Sequence, residues 1–299
     1  MTHESENSSE NPSKNIGPDA SSPESVTGQS DAAVLFHEEI REVRGQLEEA
    51  FGQLDSALRH FVRKDLAAAE PFPLAVVVLS AGLPDLDNAS VRGKRMHLAA
   101  ALEMLRIALS IHEELVTSTA AGKTEKSFIG ATILVGDYCF SHSASLAAQT
   151  DSPYVVDVFS EALKTVSEGR LRTLFSLQDD TDQSDTAQDD TGGESGQAGT
   201  PYREKELLCA AGAKAAGHLA ALSAPVSQSL GEVAAMIGRT LDQHQDPAGL
   251  FERITRGSLP QHQVARWQHA LAYLSAEDGF RPLLDESTAG LHRNGQVHD

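Results

Sequence analysis

Four acidic side chains stand where their spacing could hold a metal ion. Glu113 and Glu114 are adjacent, near the C-terminal end of an apolar stretch over residues 98–116, and Asp242 and Asp246 lie four residues apart. On a helix, residues four apart project from one face, one turn from each other. Carboxylates so placed can hold a hard cation such as Mg²⁺, which in turn can grip a diphosphate. Taken alone, a solvated helix end is the better account of both pairs. Other short signals fail. Gly122-Lys123-Thr124 resembles the end of a phosphate loop, but Thr117 stands where the first glycine is needed. His112-Glu113 resembles the start of a zinc helix, but the second histidine would fall at Val116. The remaining histidines, among them His60, His142 and His218, are scattered and read as surface or half-buried helix residues.

The elements that must position these acids read as helices. Leu35, Ile40, Leu47, Phe51, Leu54, Leu58 and Phe61 recur at helical spacing, which predicts a long amphipathic helix before Pro71. Further helices are expected over 91–117, 127–148, 153–175, 202–222 and 226–245, with shorter ones around 261–274. The run 74–79 could be a lone strand, although no partner run exists elsewhere. Apolar residues make up 40% of the chain and aromatic ones only 5%, with much Ala and Leu. That mixture favours an all-α bundle packed through small side chains. The two cysteines, Cys139 and Cys209, form no metal-type pair and read as buried small hydrophobes in a reducing compartment.

The chain has 299 residues and a formal charge of −19. Residues 1–30 carry −4 and residues 178–200 carry −7, leaving −8 on the rest. Both stretches are polar and aperiodic, which predicts a disordered acidic tail (1–30) and a disordered acidic loop (178–200) inserted in one helical domain (31–299). An acidic chain repels phosphate backbones and anionic lipid, so general nucleic-acid or membrane-surface binding is disfavoured. Neither a membrane-length apolar run nor a secretory signal is visible, and a soluble cytoplasmic protein is expected.

From Gly93 to Pro260 the order of short elements resembles the all-trans polyprenyl (isoprenyl) diphosphate synthases. Gly93-Lys94-Arg95 resembles the family's G-K-R element. Glu103 to Glu114, reading E-M-L-R-I-A-L-S-I-H-E-E, follows its E-x-x-H…H-D-D helix. Gly130-Ala131-Thr132-Ile133-Leu134-Val135-Gly136-Asp137-Tyr138 is similar to its A-I-L-x-G-D-Y helix. Glu168-Gly169 resembles E-G-E, and Lys205 takes the place of the lysine in K-T-A. Leu230-Gly231 followed by Asp242 and Asp246 keeps the spacing from F-G to the second D-D-x-x-D, and Leu259-Pro260 resembles T-L-P.

The resemblance implies a large helical bundle of the isoprenoid synthase type with a central cavity. Two acidic helices there hold Mg²⁺ on an allylic diphosphate, which ionises and is attacked by isopentenyl diphosphate. By this resemblance Glu113, Glu114, Asp242 and Asp246 are the metal ligands, and Glu113, Glu114, Asp242 and Lys205 are the catalytic set. Lys94, Arg95, His97 and Arg106 would bind substrate. Ala108 and Leu109, five and four residues before the first motif, are not aromatic, which implies a cavity for a longer product.

Departures from the pattern are extensive. The first motif reads Glu113-Glu114-Leu115-Val116-Thr117, so one acid is gone and two are a methylene longer. Gln243 replaces the middle acid of the second motif, and Gly238-Arg239 stands in place of F-Q. Mg²⁺ demands near-ideal octahedral distances, so both changes should weaken its site. Three readings stay open. The first is a weakly active or non-catalytic partner subunit of an active synthase, as a homodimer or heterodimer. The second is an active Mg²⁺-dependent prenyltransferase, and the third an unrelated helical interaction protein.

Overall fold

A computed structural model describes residues 24–56, 58–59, 71–82, 89–120, 126–182, 203–255, 259 and 261–275. These residues form helices and no strand. In chain order they are α1 (Glu24–Gly52), α2 (Pro73–Ala81), α3 (Ala89–Ala120), α4 (Lys126–Ala148), α5 (Pro153–Asp182), α6 (Glu204–Leu219) and α7 (Ala224–Asp242). A 3₁₀ turn (Pro247–Leu250), α8 (Phe251–Thr255) and α9 (Gln261–Ser275) follow. Among these residues no helix is long and apolar enough to cross a membrane.

The expected helices form, with shifts at their ends. α1 starts at Glu24, inside the expected tail, and stops at Gly52 rather than running on to Phe61. Its last turn is closed by Gln53 and Leu54, whose amides donate to the Ala50 and Phe51 carbonyls, and Tyr138 donates its hydroxyl to Ala50 at 2.7 Å. α5 continues to Asp182, past the expected start of the acidic loop at 178. Residues 1–23 of the expected tail and 183–200 of the expected loop lie outside the described residues, as does His60.

The run 74–79 is helical, not a strand. Every residue of α2, including the β-branched Val76, Val77 and Val78, is buried. A helix satisfies its own interior backbone groups, whereas a lone strand in that place would leave both edges unpaired. Burial thus overrides a modest β preference. α2 packs against α1, α3, α6 and α9, and its ends are closed by side chains from two of its neighbours, α3 and α9. The Glu103 carboxylate on α3, itself fully buried, accepts from the Leu74 and Ala75 amides at 2.7 and 3.0 Å. At the other end Arg266 Nε and Gln263 Nε2, both from α9, donate to the Leu79 and Ala81 carbonyls. Buried Glu39 on α1 gathers Arg95 at 2.5 Å and Arg266 at 3.0 Å. Negative charge lies at the N-terminus and positive charge at the C-terminus, as the helix dipole favours. The chain enters α2 through Phe72 at φ 53°, a strained position for a non-glycine residue. The strain costs about 1–3 kcal/mol, and burying the Phe72 ring contributes a similar amount.

Two helix pairs carry most of the remaining packing, α3 with α4 and α6 with α7. Each depends on a close approach at a glycine. A β-carbon at position 136 would lie 2.0 Å from His112 Nε2, so the imidazole occupies the notch that Gly136 leaves on α4. A β-carbon at position 238 would lie 2.3 Å from the Lys205 carbonyl oxygen, so α7 runs directly against the first turn of α6. Both cysteines are buried thiols, as expected.

Candidate functional site

The second contact builds the site. Because Gly238 admits the α6 backbone, the residue one turn further along α7, Asp242, reaches the start of α6. Its two carboxylate oxygens accept from the Lys205 and Glu206 amides at 3.3 and 3.2 Å. The N-cap residue of α6, Arg203, has no capping side-chain bond of its own. Asp242 therefore supplies from another helix what a local Ser or Asp usually supplies. Lys205 Nζ stands 3.6 Å from the same carboxylate and donates to the Leu241 carbonyl. One residue on, Glu206 accepts from both the Nε and Nη2 of Arg239 on α7 and pairs with Arg203 at 3.3 Å. These cations hold the Glu206 carboxyl below its ordinary range, Arg239 foremost.

A second arginine joins this cluster to the first acidic pair. Arg170 on α5 donates from Nε to Glu204 of α6 at 2.8 Å and from Nη1 to the Leu109 carbonyl of α3 at 2.8 Å. Its Nη2 lies 2.6 Å from Glu204 and 3.4 Å from Glu113. Burial pushes the Glu204 carboxyl up, Arg170 pulls it down, and the negative charges of Glu113 and Asp242 push it up further. Glu204 thus lies within reach of the charges of both Glu113 and Asp242, with the Arg170 guanidinium between it and Glu113. Glu113 remains 68% exposed at the rim, and Glu114 is also exposed. Beside them His112 faces Asp137 at 3.7 Å, and its burial lowers its pKa.

The remaining sequence-predicted residues lie elsewhere. Asp246 does not share a helical face with Asp242. α7 ends at Asp242, Gln243 is its C-cap and His244 takes φ 53°, so the chain leaves the helix between the two acids. Asp246 instead caps the 3₁₀ turn, accepting from the Ala248 amide at 2.9 Å. Lys94 and Arg95 sit on α3 eighteen or more residues before Glu113, about 27 Å away at 1.5 Å per residue. There Lys94 faces Asp151 at 3.7 Å, while Arg95 is buried on Glu39. His97 is half-buried in the same part of α3, its Nδ1 lacking a hydrogen-bond partner. Arg106 donates to Glu103 at 2.8 Å and is 14% exposed. Ala108 and Leu109, at 0% and 2% exposure, are packed rather than lining an open channel.

The four predicted metal ligands do not fit a divalent ion. Asp242 faces amides and an ammonium, Asp246 caps a separate turn, and Glu113 meets a guanidinium. Among the described residues no three His, Cys, Asp or Glu side chains converge as a metal site would require. Sequence reading passed over Arg170, Glu204 and the Glu206–Arg239 pair. One signal was present: Arg170 follows Glu168-Gly169, where the E-G-E pattern calls for an acid.

No family model matches the chain, and no curated protein matches it in sequence. Solved structures do match it in three dimensions. A decaprenyl diphosphate synthase from Rhodobacter capsulatus aligns with TM-score 0.52 and 15% identity, over 85% of this chain and 87% of the other. A polyprenyl synthase from Caulobacter crescentus, complexed with calcium and isoprenyl diphosphate, aligns with TM-score 0.50 and 16% identity, over 87% and 88%. A geranylgeranyl pyrophosphate synthase from Corynebacterium glutamicum, in complex with the same ligands, gives 0.50 and 16%, over 90% and 88%. The all-α bundle described above therefore has the fold of the polyprenyl diphosphate synthases.

Proposed function

We propose that this chain is a divergent synthase-like protein of isoprenoid biosynthesis, weakly active or non-catalytic, that serves in the cytoplasm as the partner subunit of an active polyprenyl diphosphate synthase. The position of Asp242 carries this reading. The acid on which a second Mg²⁺ site would depend instead caps α6, and Asp246 has left its helix. Charge-assisted contacts to diphosphate contribute about 1.5–3 kcal/mol each. Loss of three lowers the rate by roughly 10³–10⁶-fold. Pairing through helices, as a homodimer or with an unlike subunit, is the remaining role for a scaffold of this kind.

The purified chain is assayed with Mg²⁺, an allylic diphosphate primer and radiolabelled isopentenyl diphosphate. Product should not rise above a no-enzyme control. Co-expression with the active polyprenyl synthase of the native host should give a mixed dimer by size-exclusion chromatography with light scattering. Robust product from the chain alone would overturn the proposal and favour the active prenyltransferase, which the exposure of Glu113 and Glu114 at the rim keeps in play.

A further inference from the structure

The carboxylates of this site come from three helices, Glu113 from α3, Glu204 from α6 and Asp242 from α7. Glu204 and Asp242 are half-buried and Glu113 stands exposed at the rim; half-buried acids this close to another would repel, and a cation must stand among them or some must take up protons. In the synthases such a cation would be a metal. Here Arg170 reaches in from α5 and puts one nitrogen against both Glu204 (2.6 Å) and Glu113 (3.4 Å), a second on Glu204 and a third on the Leu109 carbonyl. Lys205 neutralises Asp242 on the other side. A guanidinium is always charged, is planar, and presents its donors in a fixed fork. It can therefore tie α3, α5 and α6 together without a bound ion.

We propose that Arg170 is a built-in counter-cation: it takes the electrostatic place of a divalent metal in the acidic cluster, holds α3, α5 and α6 together, and closes the cluster to Mg²⁺. The proposal deepens the non-catalytic reading above, because it names what occupies the site. It also has a consequence that reading lacks. Removing the guanidinium should leave the half-buried Glu204 carboxylate without its counter-charge and loosen the junction of α3, α5 and α6.

Thermal unfolding of the full chain tests this, in EDTA and in millimolar Mg²⁺, Mn²⁺ or Ca²⁺ with ionic strength matched by KCl. The wild-type Tm should not move with any of the three ions. Arg170→Gln should lower the Tm in EDTA by roughly 4–8 °C, the loss expected for a partly buried charged hydrogen-bonding group. Arg170→Lys, which keeps the charge without the fork, should fall between the two. A saturable rise of the wild-type Tm with Mg²⁺ would overturn the proposal, as would an Arg170→Gln variant as stable as wild type in EDTA. If Arg170→Gln does not fold, the wild-type titration and Arg170→Lys still decide. The two readings fail separately. An inactive chain that Mg²⁺ stabilises refutes the counter-cation alone, and an active chain that no divalent ion stabilises refutes the non-catalytic reading alone.

Discussion

Replacing Asp242 by alanine separates a structural carboxylate from a catalytic one by the sign of its effect. The substitution removes the acceptor of the Lys205 and Glu206 amides. Loss of such a cap costs about 0.5–2 kcal/mol. A negative charge at a helix N-terminus adds roughly 0.3–1 kcal/mol. Lys205 also loses its partner at 3.6 Å, but its side chain is 31% exposed, so water screens most of that term. Relief of repulsion with Glu204 offsets part of the loss. The net expectation is a destabilisation of about 1–3 kcal/mol. At roughly 2–4 °C per kcal/mol for a domain of this size, the Tm falls by several degrees. Asp242→Asn keeps an acceptor oxygen and loses the charge, so about half the effect should remain. Differential scanning calorimetry in EDTA is the assay. A carboxylate kept for a metal ion would behave in the opposite way, since removing it from an acidic cluster without metal relieves repulsion and raises the Tm. An unchanged or higher Tm for Asp242→Ala would refute the capping argument.

Two other perturbations probe the scaffold. Glu103→Ala removes the acceptor of the buried Leu74 and Ala75 amides and a charge partner of Arg106, and should cost about 3–5 kcal/mol in a urea melt; Glu103→Gln, which can still accept, should lose clearly less. Burial lowers the pKa of both His112 and His142 from 6.5, so the unfolded chain binds more protons just below pH 6.5. Their contribution is complete above that value and is lost as pH falls through the window beneath it. Glu204, raised from 4.5, acts with opposite sign, and its contribution is lost as pH rises above that value. The histidine slope is therefore read nearest pH 6.5, and a His112→Asn, His142→Asn double variant should flatten it.

Helical periodicity was enough to find α3, α4, α6, α7 and α9 within a few residues, because each presents an apolar face over several turns, and to find α1 and α5 with ends displaced by seven residues or more. α2 was ambiguous because a short, wholly apolar run has no period; only the neighbours that cap both its ends decide it. The spacing of Asp242 and Asp246 was misleading, yet the sequence held the correction. Asp246 precedes Pro247, and the residue before a proline is disfavoured in helical conformation. The distance between Lys94 and Glu113 was likewise legible, since both fall in one expected helix and helical rise fixes their separation. What could not be read was the pairing of Arg170 with Glu204 and Glu113, which depends on where α5, α3 and α6 meet.

The departures from the synthase pattern are not independent of one another. Gly238, where the pattern has phenylalanine, lets α7 approach α6 closely enough for Asp242 to cap it and for Arg239 to meet Glu206. Arg170, where the pattern has an acid, supplies positive charge to Glu204 and Glu113. Removing metal affinity alone would leave half-buried carboxylates uncompensated, at a cost of several kcal/mol. A stable fold without the metal must therefore gain cations where it keeps acids. Glu103, Glu204, Glu206 and Asp242 each face an Arg or Lys side chain. The same pairs tie α3, α5, α6 and α7 together at one junction.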